Sequence, residues 1–474
     1  MDKKLASLLV LIIALAFFVR MYDISEQSMV KDEYQHFLSA QLSCSNPLFP
    51  VSMYEKHVWF YDQPLLGQYI YELSCLVPSI AFSRLLSVLF GVASVFLLFL
   101  VGKDLFGEKV GLLASFLYAF SVPVIAYSRV AMLDSFVAFF ILLSAHFFFT
   151  KKGGPAWLTA GVAFGTKYSA AILLPVFLCK YFLDKKLRIK PVVKNLLIFL
   201  AGFLATNFAG LLMWDYLSPN NDVMVKVPIM LKTFVYQAYA QGVFGLAGYA
   251  SNVVYYLSVL YYQVGLLPIA LFAASAFLIW KRRDRNGYLM IFWAAVAFLF
   301  AVKISAATRY ILPLLPAFFL VVSYGVLGFS KKRWVAPLLT CLLAVSMLYA
   351  IISIQPYYLL FGYGDGFDNT GATLYGQYTE EAMDFINTNT SQGSVVYWET
   401  LSWHPVAFKP SKYNLVFLRN TTSEVGAADY FLVDLQYKLA HPGDETVQRI
   451  ESDFKLVKEF GAKGVTLVWV YEKP

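Results

Sequence analysis

The sequence predicts a mainly α-helical, polytopic membrane domain followed by a smaller α/β domain outside the membrane. Three observations predict it. Hydrophobic residues make up 59% of the 474 positions and charged residues only 14%, whereas a soluble domain carries about 25% charged residues. Apolar runs of spanning length recur from Leu5 to about residue 355. Beyond them come short alternating segments punctuated by Pro and Gly. So few charges cannot cover a globular surface, which excludes a soluble enzyme, a disordered protein and a nucleic-acid binder. The net charge of +8 is therefore a matter of topology. Aromatic residues at 18% suit interfacial belts and cavity walls.

The first run, Leu5 to Val19, follows Lys3-Lys4 and is closed by Arg20 with no small-residue cleavage site. It reads as an uncleaved first span. Further runs cover 84–102, 110–127, 131–150, 155–183, 194–214, 253–280, 287–302, 308–328 and 335–355. Between them lie basic clusters: Lys3/Lys4, Lys103/Lys109, Lys151/Lys152, Lys185 to Lys194, Lys281 to Arg285, and Lys331/Lys332/Arg333. The positive-inside rule puts all of these in the cytoplasm, so the chain must cross twice between neighbours. The interval 153–184 is short for two crossings. It predicts two short helices, or a re-entrant hairpin, turning near Gly165-Thr166-Lys167. The result is about eleven spans in a cell membrane, with the N-terminus inside and the C-terminal domain outside.

That topology leaves three outer pieces: a first loop, 23–83; a second loop, 215–252; and a domain, 356–474, set apart from the membrane domain 1–355. In the outer domain Glu380 to Thr388 has helical spacing. Ser394–Trp398, Asn414–Leu418, Tyr430–Val433 and Val465–Tyr471 read as strands. Asn389-Thr390-Ser391 and Asn420-Thr421-Thr422 are sequons that agree with the outer placement. The four cysteines fit no metal motif. Cys179 and Cys341 sit in apolar runs as small hydrophobes. Cys44 and Cys75 fall in one loop, and whether they pair depends on its compartment.

Ionisable residues near membrane depth need a reason, and here they gather on the outer side. They are Asp32 and Glu33 after the first span, Asp62 later in that loop, Arg129 and Asp134 around one outer turn, Lys167 at the hairpin, and Lys303 and Arg309 between two later spans. A transporter places such groups near the midplane. A one-sided cluster suits an enzyme of the outer leaflet. Carboxylates serve as general bases, and cations hold a lipid phosphate as it departs. Glycosyl transfer from a lipid-phosphate donor needs both: a base for the acceptor hydroxyl, and cations for the leaving phosphate as the sugar passes through an oxocarbenium-like state.

Each residue also has a plainer reading. Arg129 and Asp134 would pair with each other across a short turn. Lys167 would snorkel to the interface. His36, His57, His404 and His441 read as structural, and His146 as a packed span residue. Tyr255-Tyr256 and Tyr261-Tyr262 read as an interfacial belt.

Five segments carry a resemblance: Val30-Lys31-Asp32-Glu33-Tyr34; Asp62-Gln63-Pro64-Leu65; Ser128-Arg129-Val130-Ala131-Met132-Leu133-Asp134; Gly165-Thr166-Lys167-Tyr168; and Arg309-Tyr310-Ile311-Leu312-Pro313. In order and topological side they resemble the GT-C glycosyltransferases of the protein O-mannosyltransferase and aminoarabinose-transferase group, family 39 and its prokaryotic relatives. Gln63 and Leu65 depart from the family's Pro-Pro-Leu segment. The 215–252 loop is too short for the lumenal domain of the eukaryotic members.

The resemblance implies a transferase moving mannose or a related hexose from a polyprenyl-phosphate carrier to a protein or glycan hydroxyl. Asp32 would be the general base and Glu33 its orienter. Lys167, Arg129 and Arg309 would hold the donor phosphate. Asp62, Asp134, Tyr310 and Lys303 would bind substrate or structure the site. The partners implied are the lipid-linked sugar, an acceptor and membrane lipids, with no nucleic acid. No cofactor is required, and a divalent cation is an unsupported option. The alternatives are glycosylation of a lipid acceptor and, from another class, a multispan transporter or flippase.

Overall fold

The computed structural model describes residues 2–22, 24, 31–44, 51–54, 57–60, 63–184, 189–212, 214–217, 225–228, 230, 245–304, 308–329, 334–354, 379–389, 394–399, 414–417, 429–434, 445–462 and 465–474. The chain divides into two compact units. One joins Met1–Ser25 to Gln35–Tyr358, and the other joins Glu26–Tyr34 to Leu359–Pro474.

The first unit is a helical membrane body. Four of its helices are long and apolar enough to cross a bilayer: Lys3–Met21, Ile80–Phe106, Ile189–Leu212 and Arg285–Lys303. The first starts where the Asp2 side chain accepts from the Lys4 N–H at 3.2 Å. Its Val10, Leu11, Leu15 and Phe18 are exposed, an apolar face that lipid covers. The protein is a multi-pass membrane protein. Two further helix pairs qualify only when joined across a bend: Glu108–Ala119 with Val122–Arg129 at 60°, and Gly248–Val264 with Leu266–Arg282 at 110°. The second bend turns on Gly265, whose φ of 99° suits glycine. Asp134–Phe149, Tyr168–Leu183, Leu315–Gly328 and Val335–Tyr349 are shorter. Length and composition thus support four crossings among the described residues, or six if each bent pair crosses once. The expected count of about eleven is not established, because several runs are broken into helices shorter than a bilayer.

The segment 153–184 does fold back on itself. The helix Gly153–Phe164 is followed by a 3-10 turn, Tyr168–Ile172, and the helix Leu173–Leu183. Trp157, near the start, packs edge-on against Phe177 at 5.3 Å and donates to the Tyr181 hydroxyl at 3.3 Å, both near the end. Behind this hairpin lies Ile189–Leu212. A Cβ at Gly161 would collide with the Phe199 carbonyl, and one at Gly202 with that of Leu158. These two glycines let the backbones approach, as small residues do between membrane helices.

The described residues of the first long loop form regular elements. These are the helix Lys31–Ser43, a hairpin of β1 (Val51–Tyr54) and β2 (His57–Phe60), the helix Leu65–Tyr71 and the 3-10 turn Glu72–Cys75. Cys44 and Cys75 form a disulfide with Cα atoms 5.7 Å apart. In the second loop β3 (Trp214–Leu217) pairs antiparallel with β4 (Val225–Pro228).

The C-terminal part of the second unit is a five-stranded sheet of β5 (Val395–Glu399), β6 (Asn414–Phe417), β7 (Tyr430–Asp434), β8 (Lys455–Ala462) and β9 (Val465–Glu472), ordered β6-β5-β7-β9-β8. The first three strands run parallel, while β9 and β8 return antiparallel. Central β7 reads Tyr-Phe-Leu-Val and is buried, as a strand covered on both faces should be. The expected helix is Thr379–Asn389, and the expected strands lie within a residue of their places. Two elements lie outside the sequence reading. The helix Glu445–Asp453 is short and, among its described side chains, buries Val447 and Ile450. Edge strand β8 carries Lys455, Lys458 and Glu459, charges that guard an edge and hide its β pattern.

Candidate functional site

Three breaks in the membrane helices converge. The first, Val130–Leu133, separates Val122–Arg129 from Asp134–Phe149; these four residues are buried. The second is the hairpin turn Gly165–Lys167. The third precedes Leu315–Gly328 and contains the 3-10 turn Thr308–Ile311. Trp293 Nε1 fixes it by donating to the Pro313 carbonyl at 3.1 Å.

Asp134 opens its helix, where the dipole favours a carboxylate. Lys167 Nζ donates to its Oδ1 at 2.7 Å, with the two side chains 15% and 5% exposed. The same Nζ stands 5.6 Å from the centre of the Tyr310 ring, and the Arg309 guanidinium 5.4 Å from it. One buried tyrosine therefore carries two cations, one of them paired with Asp134. Tyr127 lies in electrostatic reach of Arg309, Asp134 and Tyr255. The Tyr255 hydroxyl is 3.2 Å from Thr308 Oγ1.

The other expected residues fall as follows. Arg129 is buried; its Nη1 donates to the carbonyls of Val19 at 3.2 Å and Arg20 at 2.8 Å, in the last turn of the first helix. Arg20 reciprocates, with Nε on Ser128 Oγ at 2.8 Å and Nη2 on the Ala119 carbonyl at 3.0 Å. The plainer reading of an Arg129–Asp134 pair is thereby corrected: Asp134 takes Lys167, and Arg129 clamps the first helix. Lys303 ends its helix with Nζ 5.5 Å over the Tyr249 ring. Beside it Asn252 Nδ2 donates to the carbonyls of Val302 at 2.9 Å and Ile304 at 2.7 Å.

Glu33 is buried on the helix Lys31–Ser43. Asp32 belongs to that helix, but its side chain, like the whole of Asp62, lies outside the described residues. So do His404, His441 and the side chain of His57. His36 is buried and stacked on Tyr71 at 5.8 Å. His146 is more than packing: its Nδ1 meets Asp104 Oδ2 at 2.9 Å. Tyr255 and Tyr256 are core residues, whereas Tyr261 and Tyr262 stay exposed as a belt would.

Sequence reasoning missed Tyr127, Thr308, Asn207 and Asn252, and read Tyr255 as a belt residue. The two asparagines had a readable signal, an amide inside an apolar run. Tyr127 did not stand out in so aromatic a chain.

Near the disulfide, burial raises the Glu72 carboxyl from 4.5 to about 8. Folded Glu72 thus keeps its proton to about 8, while the unfolded glutamate releases it near 4.5. Folding takes up a proton between those values, so stability falls as pH rises through that window. Glu72→Gln should raise the thermal midpoint at pH 8 relative to the parent and change it little at pH 4. An equal effect at both would refute the assignment.

The family described as dolichyl-phosphate-mannose-protein mannosyltransferase is matched by residues 62–214. The relative YkcB of Bacillus subtilis (strain 168), which carries a mannosyltransferase name, is 29% identical over 228 residues, 45% of this chain and 32% of that protein. The crystal structure of apo ArnT from Cupriavidus metallidurans matches with a TM-score of 0.61 at 12% identity, covering 98% of this chain and 97% of that one. Residues 62–214 resemble that mannosyltransferase family, and the chain shares the fold of ArnT. ArnT bound to undecaprenyl phosphate matches with a TM-score of 0.57 at 14% identity, covering 99% and 98%. The apo Archaeoglobus fulgidus oligosaccharyltransferase reaches 0.61 at 10% identity, over all of this chain and 75% of that one. These likenesses show the shared fold. The chain spans about a third of the length of the curated relatives it matches. The matched region 62–214 includes Asp62, Arg129, Asp134 and Lys167; Asp32, Glu33, Lys303, Arg309 and Tyr310 fall outside it.

Proposed function

We propose that this protein is an integral membrane glycosyltransferase that moves mannose or a related hexose from a polyprenyl-phosphate carrier to a hydroxyl acceptor outside the cytoplasm. The observation that carries the reading is the pair of cations, Lys167 and Arg309, on the single ring of Tyr310. Asp134 pairs with Lys167, and the Arg309 guanidinium shares the same ring at the junction of three helix breaks. Such a site suits the phosphate of a lipid whose tail runs between apolar helices. The undecaprenyl phosphate bound by ArnT supports that choice of anion.

In this mechanism Asp32 removes the acceptor proton and Glu33 orients it. The acceptor oxygen bonds to the anomeric carbon as that carbon's bond to the phosphate oxygen breaks, and Lys167 and Arg309 take the charge of the departing polyprenyl phosphate. Arg129 holds the first helix to the Ser128–Asp134 segment, and Asp62 and Lys303 are assigned to substrate binding. Purified protein given a polyprenyl-phosphate hexose and protein, glycan or glycolipid acceptors should release polyprenyl phosphate. Arg309→Ala should release it far more slowly. Movement of intact lipid-linked sugar across vesicles without bond cleavage would instead favour a flippase.

The Cys44–Cys75 disulfide supports an outer placement of the first loop, since such bonds persist in oxidising compartments. With the inside basic clusters it also supports a C-terminal domain outside the cell membrane. A cysteine placed near residue 400 should react with a membrane-impermeant maleimide on intact cells. Labelling only after lysis would overturn this orientation.

A further inference from the structure

The helix Leu65–Tyr71 begins after Pro64, whose side chain makes no capping hydrogen bond. Its first N–H groups need acceptors from elsewhere. Asn207 Oδ1 accepts from Leu65 N–H at 2.7 Å, and the Gly165 carbonyl accepts from Leu66 N–H at 3.2 Å. Asn207 Nδ2 in turn reaches that same Gly165 carbonyl at 3.2 Å, the Phe203 carbonyl at 3.2 Å and Thr206 Oγ1 at 3.0 Å. Asn207 is 2% exposed. It sits where Ile189–Leu212 leaves helical geometry, at φ −129° and ψ 20°. A Cβ at residue 165 would run into Thr206 Oγ1 and Asn207 Nδ2, so glycine is what admits the amide there.

We infer that Asn207 is a positioning residue that holds the start of the helix Leu65–Tyr71 in register with the turn bearing Lys167. One carboxamide bridges the start of the helix that follows Asp62-Gln63-Pro64 and the turn two residues before Lys167. A shift of either segment breaks a buried hydrogen bond of the other. The placement of the Lys167 turn, and with it the proposed phosphate contact, therefore depends on an amide on a third helix. The inference rests on the function proposed above for its effect on the donor, and on geometry alone for its effect on the backbone.

The test uses the full-length protein in detergent, with undecaprenyl phosphate as the binding probe and a polyprenyl-phosphate hexose as donor. Asn207→Leu removes every bond. Asn207→Asp keeps the acceptor for Leu65 N–H but loses the donors to Gly165 and Phe203. Ser144→Ala, which removes a buried 2.7 Å bond to the Ala156 carbonyl elsewhere in the bundle, controls for general loosening. Asn207→Leu should raise the donor KM and the undecaprenyl phosphate Kd about tenfold, the worth of one buried hydrogen bond, with kcat changed much less. Asn207→Asp should show a smaller rise in both, and Ser144→Ala none. Amide exchange at Leu65 and Leu66 should quicken in Asn207→Leu and not in Ser144→Ala. A wild type that neither binds undecaprenyl phosphate nor releases it from the donor would sink the proposed function alone. Unchanged exchange at Leu65 and Leu66 would sink the bridge. An unchanged donor KM in an active enzyme, or an equal rise with Ser144→Ala, would sink its positioning role.

Discussion

Asp32→Asn should slow sugar transfer by roughly 10²–10⁴-fold, the usual contribution of a general base, while undecaprenyl phosphate still binds. Asparagine keeps the shape of aspartate but cannot usefully accept a proton. The carboxylate contributes mainly in the transition state, so the ground-state complex should survive its loss. Its neighbour separates the two roles. Successive residues on a helix point about 100° apart, so Asp32 and Glu33 on Lys31–Ser43 cannot serve one acceptor in the same way. Glu33 is buried within the fold, as an orienting group would be. Glu33→Gln should therefore harm turnover less than Asp32→Asn. Turnover measured with saturating donor decides the assignment. Full activity in Asp32→Asn with loss in Glu33→Gln or Asp134→Asn would move the base to another carboxylate.

The membrane architecture was legible in the sequence because its signal is coarse. Apolar runs and basic clusters need no tertiary knowledge, and Gly165-Thr166-Lys167 stood out because the interval was too short for two full crossings. The convergence of Lys167, Arg309 and Tyr310 was legible only as a list of outer-side residues. What a list cannot supply is partnership. Asp134 and Arg129 are close in sequence, which made them natural partners, yet the chain between them is a buried break that turns them to different neighbours. Arg129 meets the carbonyls at the end of the first helix, and Asp134 meets a lysine 33 residues further on. Spacing predicts pairs within one helix; pairs across breaks depend on helix packing. The count of spans is not established for a related reason. Hydropathy sums over residues, and a break at Gly265 or around Val130 costs it almost nothing while ending the helix.

Lys167→Met and Asp134→Leu should each be more damaging to stability than the two changes combined. Each single change leaves one buried charge without its ion-pair partner, and breaking a buried pair this way costs roughly 3–5 kcal/mol. Replacing both partners with apolar side chains is often neutral or stabilising, so the double variant should recover most of the lost thermal stability. Donor turnover should not recover with it. A lysine ammonium has three donors, and Asp134 Oδ1 takes one of them; the proposed phosphate contact uses another. A double variant that is stable but inactive toward a polyprenyl-phosphate hexose separates the two roles of Lys167. A double variant that regains both stability and turnover would make the pair purely structural and leave Arg309 as the cation that meets the phosphate. The comparison is informative because the singles confound folding with function and the double does not.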